Sequence, residues 1–122
     1  MIYADTDFIL ALAKKEDWLK TNAKKIYHKY KDELFISPVC LIELMIVAKK
    51  VDLDPLDLLQ FALKIAKLVG DNPDDYLTAC RYQKEYKLGV FDSIHVAKCN
   101  GKIISSDNKI GQIPFLDVIR LD

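Results

Sequence analysis

The sequence has few cysteines. There are three, Cys40, Cys80 and Cys99, and no two of them form a C-x-x-C pair. A disulfide framework requires an even set of cysteines in a small secreted chain, and a structural zinc site requires closely spaced ligands. Neither is indicated here, and the three cysteines are predicted to be reduced, buried packing residues.

Long apolar runs are also missing. No stretch approaches the roughly 18 consecutive apolar residues that a membrane-spanning helix needs. Asp5 and Asp7 interrupt the only early apolar segment and no basic region precedes it, so no signal peptide is expected. Hydrophobic residues make up 51% and charged residues 30% of the 122 residues, as in a soluble globular protein. We therefore expect a cytoplasmic protein with one domain spanning residues 1–122.

The net charge is zero, so the chain as a whole has no excess charge to attract nucleic acid. The lysines are nevertheless concentrated early in the chain, where Lys14, Lys15 and Lys24 lie near Tyr27 and Tyr30. This cluster is either the solvated face of an amphipathic helix or a surface that follows a phosphate backbone.

Short apolar runs alternate with segments of helical periodicity. Strands are predicted at Ile2–Ala4, Leu34–Ile36 and Ile103–Ser105, with an edge strand near Val118–Ile119. Helices are predicted at 7–15, 18–31, from 38, from 55 to a stop at Gly70, from 73 to about 87, and at 92–99. In the helix from 55, one inward apolar face is expected, made of Leu56, Leu59, Leu63, Ala66 and Val69. The alternation predicts an α/β fold with a mainly parallel central sheet flanked by helices on both faces.

Several helix ends have recognisable signals. Ser37, Asp54 and Asn72 each precede a proline, which predicts an N-cap followed by proline in the first helical position. The pair Asn100–Gly101 is suited to a left-handed C-terminal cap.

Four acidic residues, Asp5, Glu43, Asp92 and Asp107, lie far apart in the sequence at positions where folding could bring them together. Asp5 and Asp107 each follow a predicted strand, and the carboxyl ends of parallel strands are where ligands bind. Glu43 lies within the apolar stretch Val39–Val47, where an unpaired carboxylate would be costly. The pattern predicts a site for a divalent metal ion.

Each of these acids also has a structural alternative. Asp5 and Asp107 would be suitable caps for the helices after their strands, and Asp92 would be a suitable N-cap for the helix at 93–99. His95 lies three residues after Asp92, on the same helical face, and is expected to be packed or hydrogen-bonded rather than a ligand. Trp18 is expected to be a core residue or a partner contact.

Four motifs together resemble those of the PIN domain family. They are Ile2-Tyr3-Ala4-Asp5-Thr6, Ser37-Pro38-Val39-Cys40-Leu41-Ile42-Glu43-Leu44, Phe91-Asp92-Ser93-Ile94-His95-Val96-Ala97 and Ile103-Ile104-Ser105-Ser106-Asp107. They occur in the family's order and spacing, over essentially the whole chain. Within the family the chain looks most like the small prokaryotic toxins of type II toxin–antitoxin pairs. Those toxins are metal-dependent ribonucleases that a cognate antitoxin holds inactive.

The resemblance implies a Mg²⁺- or Mn²⁺-dependent endoribonuclease. Asp5 and Asp92 would hold the ion directly, Glu43 would do so directly or through water, and Asp107 would orient the attacking water. Thr6 and Ser105 would supply hydroxyl groups to the site or to the scissile phosphate, and Asp7 would add an oxygen ligand. The implied partners are an RNA substrate, a cognate antitoxin and a second copy of the chain. Lys14, Lys15 and Lys24 are candidate RNA contacts, and Phe8 and Trp18 are candidates for a protein-binding surface.

Two departures from the family pattern keep other functions open. Asp7 stands where asparagine or serine is usual, and Asn108-Lys109 replaces a second acidic residue. The loss of that acid is compatible with a catalytically weak binding or scaffold protein. Asp5-Thr6-Asp7 also resembles the nucleophile motif of haloacid-dehalogenase-type phosphatases, in which Asp5 would attack phosphate. Ile9 stands where that motif requires a hydroxyl residue, which disfavours this reading.

Overall fold

The computed structural model describes residues 1–122 and contains five strands and seven helices. The strands are β1 (Ile2–Ala4), β2 (Leu34–Ile36), β3 (Lys67–Leu68), β4 (Lys102–Ser105) and β5 (Asp117–Arg120). The helices are α1 (Thr6–Ala13), α2 (Lys20–Tyr30), α3 (Pro38–Lys50), α4 (Pro55–Ile65), α5 (Pro73–Tyr86), α6 (Val90–Lys98) and α7 (Asn108–Gly111). No helix has both the length and the apolar character needed to span a membrane.

The strands form one sheet in the order β3-β2-β1-β4-β5, and every neighbouring pair is parallel. The chain runs outward from β1 to β2 and β3, and then returns to place β4 on the other side of β1. Tyr3 pairs with Ile103 and Ala4 with Ile104, so β1 and β4 end side by side. This is the topological switch point, the position where open α/β sheets bind ligands.

Side chains on alternating strand positions build the two halves of the core. Ile2, Ala4 and Ile104 face one way and belong to a cluster that also contains residues of α1, α2, α3 and α4. Tyr3 and Ile103 face the other way and pack with residues of α6 and α7. The predicted fold class, a parallel sheet with helices on both faces, is confirmed.

The prediction was wrong for the segment after α4. The helix ends at Ile65 rather than continuing through Val69, because Lys67 and Leu68 pair with Phe35 and Ile36 as the edge strand β3. The inward face of α4 was also misassigned. Leu58 and Ala62 are buried, whereas Leu56, predicted to face inward, is 64% exposed.

The predicted helix caps are mostly confirmed. Asp54 accepts a hydrogen bond from the Leu56 amide at 2.8 Å, and Asn72 accepts one from the Asp74 amide at 3.0 Å. Ser37 is at the N-cap position of α3, but its hydroxyl bonds the Tyr3 hydroxyl at 2.7 Å and caps no helical N–H group. Asn100 and Gly101 have left-handed backbone conformations, with φ of 53° and 87°.

Three predictions about individual side chains need correction. Phe8 is fully buried under the sheet, so it provides no partner surface. Trp18 lies before α2, which begins at Lys20, and is 81% exposed, so it is not a core residue. Cys80 is exposed on α5, while Cys40 and Cys99 are buried and reduced as expected.

Candidate metal centre

Asp5 is fixed at the junction of β1 and α1. It adopts an extended conformation and caps α1, since its Oδ1 accepts the Thr6 amide at 2.8 Å. Its Oδ2 accepts the Ser105 hydroxyl at 2.7 Å, which joins the ends of β1 and β4. Burial, opposed by the nearby His95 and Ser105, raises the pKa of Asp5 above its ordinary value. The capping role and a role in the acidic site are therefore combined in one residue.

Asp107 occupies the equivalent position after β4. Its Oδ1 accepts the Ile110 amide at 3.0 Å and caps the short helix α7. Its own amide donates to the Ser105 hydroxyl at 3.1 Å, so Ser105 links both aspartates. This helix is a single turn, and Asp107 caps it as the structural alternative for this residue expected.

Glu43 reaches the same place from the middle of α3. Its Oε1 accepts a short hydrogen bond from the Thr6 hydroxyl and lies 2.8 Å from Nε2 of His95. Burial acts against the charged form, but the hydrogen bonds from His95 and Thr6 outweigh it and lower the pKa of Glu43. Glu43 is therefore held as a carboxylate, the form that binds metal.

Asp92 lies in the first turn of α6. That helix begins at Val90 with Gly89 as its N-cap, which excludes the structural alternative that Asp92 caps the helix. Burial, followed by repulsion from Asp107, raises the pKa of Asp92 to about 6. Asp92 lies near the carboxylate that follows β4, since both residues border one depression.

The structure brings the four predicted carboxylates together. They border an open depression of about 190 Å³, whose lining consists of Asp5, Thr6, Asp7, Leu10, Glu43, Val47, Asp92 and Asp107. No lysine or arginine is among these lining residues. The negative charge of the depression therefore has no basic side chain in its wall to offset it.

Asp7 contributes a fifth carboxylate. Its Oδ2 accepts hydrogen bonds from the amide and the hydroxyl of Ser106, while its Oδ1 is buried without any hydrogen-bond partner. Burial and the negative charge of Asp5 raise the pKa of Asp7 to about 7. An orphaned carboxylate oxygen beside several crowded acids fits a divalent cation that prefers oxygen ligands, such as Mg²⁺ or Mn²⁺.

His95 is the functional residue that sequence reasoning undervalued. It is fully buried, with Nδ1 2.6 Å from the Tyr3 hydroxyl and Nε2 2.8 Å from Glu43 and 3.8 Å from Asp5. Burial by itself lowers the pKa of His95. The hydrogen bond to Glu43 and the charge of Asp5 raise that pKa by more, so the net change is a rise. Potential ligand atoms of Asp5, Glu43 and His95 all lie within 4.8 Å of one another. The spacing of three between Asp92 and His95 was the available signal.

The predicted RNA-contacting lysines lie elsewhere. Lys14 and Lys15 follow the far end of α1, which is about 12 Å long at 1.5 Å per residue. Lys14 pairs with Asp17 at 3.2 Å, and Lys24 borders a separate cavity beside Tyr27 and Phe61. The structure does not bring these lysines to the acidic depression, and their contact with RNA stays a prediction.

Arg120, at the end of β5, holds the turn that carries Asp107. Its guanidinium donates to the carbonyl oxygens of Ser106 and Asp107 and to the side chain of Asn108, each at 3.0 to 3.1 Å. Asp122 accepts from the same guanidinium at 2.9 Å, and this contact lowers the pKa of Asp122. Asn108, one of the two departures from the family pattern, therefore serves to anchor the turn.

Replacing Arg120 by methionine is expected to slow any activity of the acidic site by about tenfold, because groups that orient metal ligands typically contribute 10- to 100-fold. The turn would lose three hydrogen bonds, and Asp107 would lose its fixed position. The rate should be measured with metal in excess, beside Arg81→Met on the exposed surface of α5. Equal rates for the two variants would contradict a positioning role for Arg120.

The comparisons with known proteins identify the family of this fold. A family model of the PIN domain matches residues 2–116. The chain belongs to the PIN domain family. The predicted resemblance is therefore confirmed over nearly the whole chain, and no curated protein sequence matches this PIN domain at a significant level.

Solved structures support the same fold. A toxin–antitoxin complex from Klebsiella pneumoniae matches with a TM-score of 0.78 and 21% identity, covering 100% of this chain and 98% of that chain. VapBC2 from Rickettsia felis, bound to a promoter DNA fragment, matches with a TM-score of 0.74 and 17% identity, covering 98% of each chain. VapC20 from Mycobacterium tuberculosis, a toxin that cleaves the sarcin–ricin loop, matches with a TM-score of 0.70 and 16% identity, covering 80% of this chain and 79% of that chain. At these identities the likeness establishes the fold alone.

Proposed function

We propose that this PIN domain is a Mg²⁺- or Mn²⁺-dependent endoribonuclease of the cytoplasm and the toxin of a toxin–antitoxin pair. The observation that carries the proposal is the convergence of five carboxylates at the switch point between β1 and β4. Asp5, Asp7 and Asp92 have raised pKa values, because burial and mutual repulsion disfavour their charged forms. A divalent cation would offset that repulsion.

The residues of the site have distinct roles in this proposal. Asp5, Glu43 and Asp92 would hold the ion, which when bound supplies charge neutralisation at the phosphoryl oxygens and an activated water. Asp107 orients the attacking water from the end of β4. Thr6 and Ser105 donate their hydroxyl hydrogens to Glu43 and Asp5, so they position carboxylates. In this proposal the two hydroxyl groups therefore support the carboxylates that would hold the ion, and they do not contact the scissile phosphate.

The proposed protein partners are an antitoxin and a second copy of the chain. The matched Klebsiella pneumoniae structure is a toxin–antitoxin complex, and this supports an antitoxin partner. A cavity of about 480 Å³ beside Leu12, Tyr27 and Phe61 offers an apolar place for an antitoxin segment. Ile42, Met45 and Ile46 expose apolar surface on α3 that would suit a homodimer.

The test is cleavage of total RNA by the purified protein, with Mg²⁺ or Mn²⁺ and with a chelator. Cleavage is expected only with metal, and it should fall by at least about 100-fold in Asp5→Asn and Asp92→Asn, since each loses a charged ligand. Asp117→Asn on β5 is the matched control, because this aspartate lies outside the depression and pairs with Lys102. Cleavage that persists in both site variants would refute the proposed site.

The two alternative functions give different results in the same experiment. Metal binding without cleavage would favour a binding or scaffold protein. A phosphatase would require Asp5 as a nucleophile and would form an aspartyl phosphate, which can be trapped. Both oxygens of Asp5 already accept hydrogen bonds and the residue is only 5% exposed, so this structure disfavours a nucleophilic role.

A further inference from the structure

An anionic substrate faces a particular difficulty at this depression. Five carboxylates line it, so the phosphates on either side of the scissile bond are repelled unless basic groups lie close by. Lys14 and Lys15 are at the far end of α1 and do not meet this need. The relevant cations must lie along the edge of the sheet where Asp107 follows β4 and where the first turn of α6 carries Asp92.

Lys87 and Lys109 lie at that edge. Lys109 is in α7, two residues after Asp107, and its ammonium group is 3.3 Å from the backbone carbonyl of Lys87. Lys87 ends α5 in a left-handed conformation, with φ of 53°, three residues before the helix that carries Asp92. Both lysines are exposed, and neither forms a salt bridge. They therefore lie next to the acidic depression, beside Asp107 and the start of α6, as positive charges that no carboxylate neutralises.

An aromatic cluster adjoins these lysines. Tyr82 and Tyr86, on successive turns of α5, have ring centroids 5.8 Å apart, and the ring of Phe115 lies 5.4 Å and 6.0 Å from them. Phe115 is 48% exposed, and Lys87 directly follows Tyr86 in the chain. Lysines beside partly exposed rings are the combination with which proteins bind single-stranded nucleic acid, through phosphate contacts and base stacking.

We propose that single-stranded RNA leaves the metal centre over Lys109 and Lys87 and stacks its bases on Tyr86 and Phe115. This inference rests on the proposed function and assigns a path to its substrate. Charge complementarity favours RNA over an acidic protein segment, because the free lysines lie beside a site that must accept a phosphodiester. The path also assigns a use to Lys109, which belongs to the pair Asn108-Lys109 that replaces the second acidic residue of the family pattern.

The path can be tested by RNA binding to an inactivated protein. Fluorescence anisotropy would measure binding of a labelled mixed-sequence oligoribonucleotide to Asp92→Asn protein in Mg²⁺ over a range of salt concentrations. Adding Lys87→Gln and Lys109→Gln should weaken binding at least tenfold. It should also lower the salt-dependence slope by about 1.4, since each lost phosphate contact on a single strand contributes about 0.7.

Variants of Phe115 separate stacking from packing. Phe115→Ala and Phe115→Leu should both weaken binding about tenfold without changing the salt slope, because stacking does not release counterions. Phe115→Leu keeps an apolar side chain of similar size, so its thermal unfolding should match that of the parent. Lys49→Gln with Lys50→Gln, at the end of α3, is the matched control pair and should bind within about twofold of the parent.

Several results would overturn the path. These are undetectable binding by the parent, unchanged binding by the Lys87 and Lys109 pair, and a larger loss from Lys14→Gln with Lys15→Gln. Cleavage by the wild-type protein with unchanged binding in the path variants would refute the path alone. Binding that depends on the path, without any cleavage by the wild type, would refute the nuclease and leave the RNA surface standing.

Discussion

The His95→Leu variant is expected to lose about 3 kcal/mol of stability and to bind Mn²⁺ about 10- to 100-fold more weakly. Leucine fills the volume of the fully buried ring, but it leaves the Tyr3 hydroxyl and Glu43 without the partners that lie 2.6 Å and 2.8 Å away. Burial raises the pKa of the Tyr3 hydroxyl well above its ordinary range, so that group stays neutral and cannot compensate. Glu43 would then lose its fixed orientation at the metal centre.

The His95→Gln variant is the matched control for this prediction. A glutamine amide can place an N–H donor near the position of the imidazole Nε2, so Glu43 keeps a partner. We expect His95→Gln to recover a substantial part of the lost Mn²⁺ affinity, measured by calorimetric titration, and of the stability, measured by urea unfolding. Mn²⁺ affinity that is equal in His95→Leu and the wild type would contradict a positioning role for His95.

The Asp7→Asn variant is expected to stabilise the metal-free protein by about 2 to 4 kcal/mol at pH 8. The pKa of Asp7 rises from 3.8 to about 7 on folding, so the folded state binds a proton more tightly than the unfolded state does. The stability of the metal-free wild type therefore falls as the pH rises from about 4 through about 7. Asparagine has no charge to bury, which removes this loss.

The measurement is urea unfolding in chelator at pH 4 and pH 8. The gain from Asp7→Asn should be large at pH 8 and nearly absent at pH 4, where the carboxyl is protonated in the folded state. Asp117→Asn, on the exposed edge strand, should give no such pH-dependent gain. A gain that is equal at both pH values would exclude charge burial at Asp7 as the cause.

The fold was predictable where a single physical signal dominated. Ile2–Ala4 and Leu34–Ile36 are short apolar runs with no competing helical pattern, and both are strands. The prediction of the buried face of α4 failed because leucines occupy more than one side of the helix, so their periodicity did not identify that face. β3 has only two residues, Lys67 and Leu68, and both are exposed at the sheet edge, so no hydrophobic pattern distinguished it.

Asp5 and Asp107 were predictable because the ends of parallel strands meet at one edge of a sheet, and Glu43 was predictable because it interrupts an apolar helix. Their supporting residues were not. Tyr3 and His95 are 92 positions apart, and Arg120 holds a turn 13 to 14 positions away. Such pairings depend on the strand register and on how α6 packs against the sheet. No local motif reveals them.

The position of β1 at the centre of the sheet also bears on how the acidic site is assembled. The Ser105 hydroxyl that fixes Asp5 lies 100 positions later in the chain, at the end of β4. The depression can therefore form only after β4 has paired with β1 and brought Asp107 to the same edge of the sheet. Because synthesis adds residues in sequence order, a growing chain that already contains β1 has no such depression until these 100 further residues have been added. Assembly of the acidic site is thus tied to completion of the central sheet.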